Sequence, residues 1–115
     1  AGASLRVWSV GSELSQGAVA ALVAGADLYA APFRGEGFAL PVLEAAAAGA
    51  PVVATAGGAA DDYMSESWAV RVPSRPVAVS FGGQLGGGLA PDPAALSNAV
   101  VWAGLAKAAA AGRLG

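Results

Sequence analysis

Apolar residues fall along the chain in short runs, each closed by glycine or proline. Leu5, Val7, Trp8 and Val10 predict a strand over Leu5–Val10, ended by Gly11. Ser12 then offers an N-cap with Glu13 in the first turn, and Leu14, Val19, Leu22 and Val23 recur at roughly helical spacing up to Gly25. Asp27–Pro32 reads as a second short strand stopped by proline, followed by a polar, glycine-bearing loop from Phe33 to Phe38. Pro41 suits the first turn of a helix, because the N–H it lacks would be unpaired there, and that helix runs over Pro41–Ala48 to Gly49. Pro51–Thr55 carries β-branched residues without alternation, the pattern of a strand buried on both faces.

Gly57-Gly58 turns the chain into a short helical segment over Ala59–Ser65, and Trp68–Val72 reads as a fourth strand closed by Pro73. Residues 74–91 hold five of the glycines and two prolines and read as a flexible loop with one strand at Val77–Phe81. Asp92-Pro93 opens a last helix from Ala94 to about Ala111. Strands and helices alternate over residues 5–72, which predicts an α/β fold with a parallel sheet and right-handed crossovers. The expected organisation is a core over 1–73, a Gly/Pro-rich loop over 74–91 and a C-terminal helix of the same domain over 92–115.

Composition narrows the chemistry. The 115 residues suffice for one domain, and such a chain buries roughly two thirds of its unfolded surface. Hydrophobic residues make up 56% and charged ones 12%, about half the usual charged share. Every long apolar run is cut by Gly, Pro or charge, so no segment predicts a membrane span. With no Cys there is no disulfide, thiolate metal site or cysteine nucleophile, and with no His the commonest general base is missing. Six scattered cations against eight acids argue against nucleic-acid binding through a basic stripe. The lack of Cys is compatible with the cytosol, but the compartment stays open. Trp8, Trp68 and Trp102 are expected in the core.

In open α/β sheets ligands sit outside the carboxyl ends of the strands. The loop after the second strand lies there and leads into a helix N-terminus, a place suited to an anion. Around it stand two carboxylates eight residues apart, Glu36 in the loop and Glu44 on the helix. Gly37 permits backbone conformations other residues resist, and the N–H groups of residues 37–40 could face a phosphate. Glu44 could accept hydrogen bonds from a vicinal diol, and Glu36 could accept from sugar hydroxyls or stabilise positive charge developing at a sugar carbon. Asp61-Asp62 resembles a metal pair on paper, but adjacent carboxylates diverge on a helix and no third ligand is near. The glycines at 82–88 lack the Lys and Ser/Thr of a phosphate loop. Arg34 reads as a surface cation, and Phe38 as a packing residue or a wall of the sugar pocket.

The ordered pattern Ala26-Asp27-Leu28-Tyr29, Pro32, Glu36-Gly37-Phe38, Leu40–Ala45, Gly49, Pro51–Thr55 and Gly58 resembles the donor-binding region of retaining glycosyltransferases of the GT-B fold, family 4 type (glycosyl transferases group 1). The resemblance covers roughly residues 7–80 and implies a Rossmann-like half that holds a nucleotide sugar. It implies that Glu36 contacts the transferred sugar, that Glu44 binds the ribose hydroxyls, and that Gly37, Phe38, Ala39 and Leu40 meet sugar and diphosphate through their amides. Gly11–Leu14 would lie near the base, and transfer would need no bound metal or other cofactor. The partners implied are a nucleotide sugar and an acceptor of unstated chemistry, held by an N-terminal domain outside this chain. Two departures stand out. Ala39 occupies a position where the family has glycine, and the cations that neutralise the diphosphate lie upstream of the matched pattern. The rival expectation is a catalytically inactive nucleotide-sugar-binding or regulatory module on the same fold.

Overall fold

A four-residue strand with all its side chains buried, Val52–Thr55, is the centre of the molecule. The computed structural model describes residues 6–35, 39–81 and 83–113. In chain order they form α1 (Gln16–Ala24), β1 (Tyr29–Ala31), α2 (Leu40–Ala47), β2 (Val52–Thr55), a 3-10 turn (Ala59–Asp62), β3 (Ala69–Val72), β4 (Ser74–Phe81), β5 (Gln84–Pro91) and α3 (Pro93–Ala110). Strands β1, β2 and β3 make a parallel sheet in that order, with Tyr29 beside Val52 and Val52 beside Ala69. This is the α/β, Rossmann-like arrangement that the alternation of elements predicts.

The two faces of β2 are covered differently. Val52 and Ala54 join Ala39, Val42, Ala45, Ala50, Ala60, Met64 and Ala69 in one buried cluster, with Tyr29, Phe33, Tyr63 and Trp68 packed around it. Val53 and Thr55 alternate to the other face, where α3 lies against β2 and β3. A fully buried Val contributes roughly 1.5–3 kcal/mol, and Val42, Val52, Val53 and Val72 are all in that state. Most other core positions are alanines, which let α2 and the turn approach the sheet closely but add little area each. At the far end of α3, Arg113 pairs with Asp27 ahead of β1, with Nη1 3.0 Å from Oδ2. The guanidinium's hydrogen bond holds the exposed Asp27 carboxyl below its ordinary value.

Several boundaries differ from the sequence reading. Residues 6–10 are exposed and form no strand, and Leu5 lies outside the described residues. The propensity is present, but among the described residues no strand pairs with the segment. The cap of α1 is Ser15, whose hydroxyl accepts from the Ala18 N–H at 3.1 Å, so the helix starts beyond Ser12 and Glu13. Two tryptophans expected in the core lie on the surface. Trp8 is 85% exposed because its segment joins no sheet, and Trp102 is 71% exposed on the outer side of α3. Trp68 packs against the core as expected.

The largest correction concerns residues 74–91. They form an antiparallel hairpin, with Ser74 opposite Pro91 and Phe81 opposite Gln84. Gly83, at φ +87°, serves the turn. The prolines fit because a two-stranded ribbon has only edge strands. The hairpin is moored at its open end. The Leu89 N–H donates to the Arg34 carbonyl at 2.7 Å, and the Ser74 hydroxyl to the Ala56 carbonyl at 2.6 Å. Gly88 makes this approach feasible, since a Cβ there would collide with Val79 Cγ2 and stand 3.1 Å from the Arg34 carbonyl oxygen. Gly88→Ala is therefore expected to loosen the hairpin, while Gly87→Ala, with nothing within 4 Å, leaves it intact. Amide hydrogen exchange at Leu89 reads the difference, and equal protection in the two variants would contradict the mooring.

Candidate functional site

The carboxyl ends of β1 and β2 open onto the segment between Phe33 and α2, where sequence reasoning puts the ligand. Glu36, Gly37 and Phe38, three of the expected site residues, lie outside the described residues. Both flanks are described and are tightly held. Thr55, fully buried at the end of β2, donates its hydroxyl to the Phe33 carbonyl at 2.7 Å. Tyr63, just past the 3-10 turn, donates its phenolic O–H to the Ala39 carbonyl at 2.7 Å.

Ala39 is the N-cap of α2 and adopts φ 59°, ψ 47°, the left-handed region. That conformation costs an L-residue roughly 1–2 kcal/mol and glycine almost nothing. A glycine at this position in the resembled family thus has a backbone reason. The methyl group of Ala39 is buried, 3% exposed, which returns part of the cost through packing. Leu40, the next expected site residue, has an exposed side chain. Any role for it falls to its backbone N–H at the first position of α2. Pro41 has no N–H to offer, and the Val42 N–H bonds the Ala39 carbonyl at 3.0 Å.

Glu44 sits one turn further along α2 with its side chain exposed. It lines a groove of about 460 Å³ between α1 and α2. Pro41, Glu44 and Ala48 form one wall at helical spacing, Gln16, Val19, Ala20 and Val23 the other, and Tyr29 joins them. Leu14, from the segment expected near the base, lines the same groove. A smaller cavity of about 260 Å³ shares Tyr29 and Pro41 and reaches Phe33 and Ala39, the flanks of the loop. Glu44 and Leu14 thus line the groove, Phe33 and Ala39 line the cavity, and Tyr29 and Pro41 stand between the two. Sequence reasoning did not single out Gln16, Tyr29, Thr55 or Tyr63 for the site. The hydroxyls of Thr55 and Tyr63 were the available signal, at the end of a predicted buried strand and just after a glycine turn.

The remaining candidates have structural duties. The Asp61 carboxylate accepts from the Gly57 N–H at 2.8 Å and so closes the Gly57-Gly58 turn, with Gly57 at φ +92°. Among the described residues, no three acidic side chains gather as a metal-holding group. Arg34 is exposed, as expected of a surface cation. Among the described residues, no helix is long and apolar enough to cross a membrane.

The parallel sheet flanked by helices is an α/β, Rossmann-like arrangement consistent with one half of a GT-B glycosyltransferase. The family model described as glycosyl transferases group 1 matches residues 6–103, and the chain belongs to that family. No curated protein and no solved structure matches it.

The strained cap yields a direct test. Ala39→Val places a β-branched residue in the left-handed region and overfills a packed site, so it should cost about 2 kcal/mol or more in denaturant unfolding. An unchanged midpoint would refute the left-handed, buried placement of Ala39.

Proposed function

We propose that the chain is the donor-binding half of a retaining hexosyltransferase, which moves a sugar from a nucleotide-sugar donor to an acceptor held by a second, N-terminal domain. The observation that carries this reading is the position of Glu44 in a groove that shares Tyr29 and Pro41 with the cavity at the loop flanks, within a chain of the glycosyl transferases group 1 family. Glu44 accepts hydrogen bonds from the two ribose hydroxyls, with the base toward Leu14 and Gln16. The diphosphate meets the backbone amides of Gly37, Phe38, Ala39 and Leu40, where the α2 dipole favours negative charge. Glu36 serves the transferred sugar, either by accepting from its hydroxyls or by stabilising positive charge at the anomeric carbon. Catalysis rests on positioning and charge stabilisation, with no bound metal required of this half.

Glu44→Ala should weaken binding of the preferred nucleoside diphosphate among UDP, GDP and ADP at least about tenfold, the loss expected for a charge-assisted pair. Calorimetry on the 115-residue chain measures this, and an unchanged affinity would remove Glu44 from the ribose.

Glu36→Ala should separate the two functions. Nucleoside diphosphate affinity stays near wild type, while sugar transfer by a protein carrying both domains is abolished. Equal loss of binding and transfer would contradict the division of roles between the two carboxylates.

A further inference from the structure

The loop that carries Glu36 is gripped at both ends by groups to which the resemblance assigns no role. Three donors reach three of its carbonyls: the Thr55 hydroxyl to Phe33 at 2.7 Å, the Leu89 N–H to Arg34 at 2.7 Å, and the Tyr63 hydroxyl to Ala39 at 2.7 Å. In a trans peptide the C=O of one residue and the N–H of the next point in opposite directions. Among the described residues no peptide bond is cis. Tying these carbonyls therefore aims the N–H groups of Arg34, Gly35 and Leu40 away from Thr55, Leu89 and Tyr63 respectively.

We propose that Thr55 and Tyr63 are positioning residues for the donor diphosphate: their hydroxyls fix the peptide planes at the two ends of the loop, so that the N–H groups of Arg34 and Leu40, turned away from those hydroxyls, are held ready for the phosphates. The hairpin supplies the third tie through the Leu89 N–H, so its mooring also serves ligand binding. The proposal rests on the donor-site reading above. It adds residues that touch no ligand and act only through backbone orientation. Rigidity of this kind matters because an amide donor that is already aimed loses less freedom when the phosphate arrives. Each hydroxyl comes from an element anchored in the core. Thr55 is fully buried, and the ring of Tyr63 packs against the buried cluster.

The test compares wild type, Thr55→Val, Thr55→Ser and Tyr63→Phe as the full chain. Calorimetry measures affinity for UDP, GDP and ADP, and for uridine, guanosine and adenosine, with thermal midpoints recorded alongside. Thr55→Val and Tyr63→Phe should lose at least about fivefold in diphosphate affinity while nucleoside affinity holds, and Thr55→Ser, which keeps the hydroxyl, should stay within about twofold of wild type. Should Thr55→Val fail to fold, Tyr63→Phe decides, since it keeps the packed ring. Equal losses for nucleoside and diphosphate, or no loss in either variant, would overturn the positioning role. A wild type that binds none of the three diphosphates would overturn the donor-site reading itself, and this proposal with it, an outcome distinct from variants that bind as well as wild type.

Discussion

The structure depends on β2 being buried on both faces. Four residues, Val52–Thr55, hold the sheet together from its middle, hydrogen-bonded to β1 on one side and β3 on the other. Its apolar side chains pack against α2 on one face and toward α3 on the opposite one. The strand's last residue is the one fully buried polar side chain among the described residues, and its hydroxyl is spent on the Phe33 carbonyl. The same element that anchors the core therefore fixes one end of the loop. A shift of β2 would be felt at the site without any change in the site's own residues.

Small side chains shape what that core can do. Ala39, Ala45, Ala50, Ala54 and Ala60 are all nearly inaccessible, which brings α2 and the 3-10 turn close to the sheet. Close approach lets Tyr63 span from the turn to the start of α2 and lets the Phe33 ring lie against Gly58, where a Cβ would stand 3.1 Å from it. Alanine buries little area. Directional hydrogen bonds to the Phe33 and Ala39 carbonyls add orientation at chosen peptide planes.

Much of this was legible in the sequence because it follows from local pattern. The unalternating Val52-Val53-Ala54-Thr55 run announces a doubly covered strand, and Pro41 and Asp92-Pro93 mark helix starts to within about a residue. Glu44 stood out through its spacing from Glu36 and through the surrounding pattern, and it lines the groove between α1 and α2. The failures lie where pairing decides. The glycines of β5 lower strand propensity, yet β4 supplies a partner, so a ribbon forms where composition indicates a loop. Residues 6–10 present the reverse case, with strong strand propensity and no partner, so Trp8 stays in water. The ties from Thr55 and Tyr63 span 22 and 24 residues, a separation over which no local pattern reports.

The start of α2 shows what one of those ties does to the backbone. An ordinary helix presents several free N–H groups in its first turn. Here Pro41 has none, and the Val42 N–H is engaged with the Ala39 carbonyl. The Leu40 N–H lies on the peptide whose carbonyl receives the Tyr63 hydroxyl. Ala39 holds the junction between loop and helix in a left-handed turn that a β-carbon resists. Such a turn persists when its surroundings over-determine it, and the buried methyl group together with the tyrosine hydrogen bond provides that constraint. The conformational cost at one residue and the orientation of one amide are thus two aspects of the same joint.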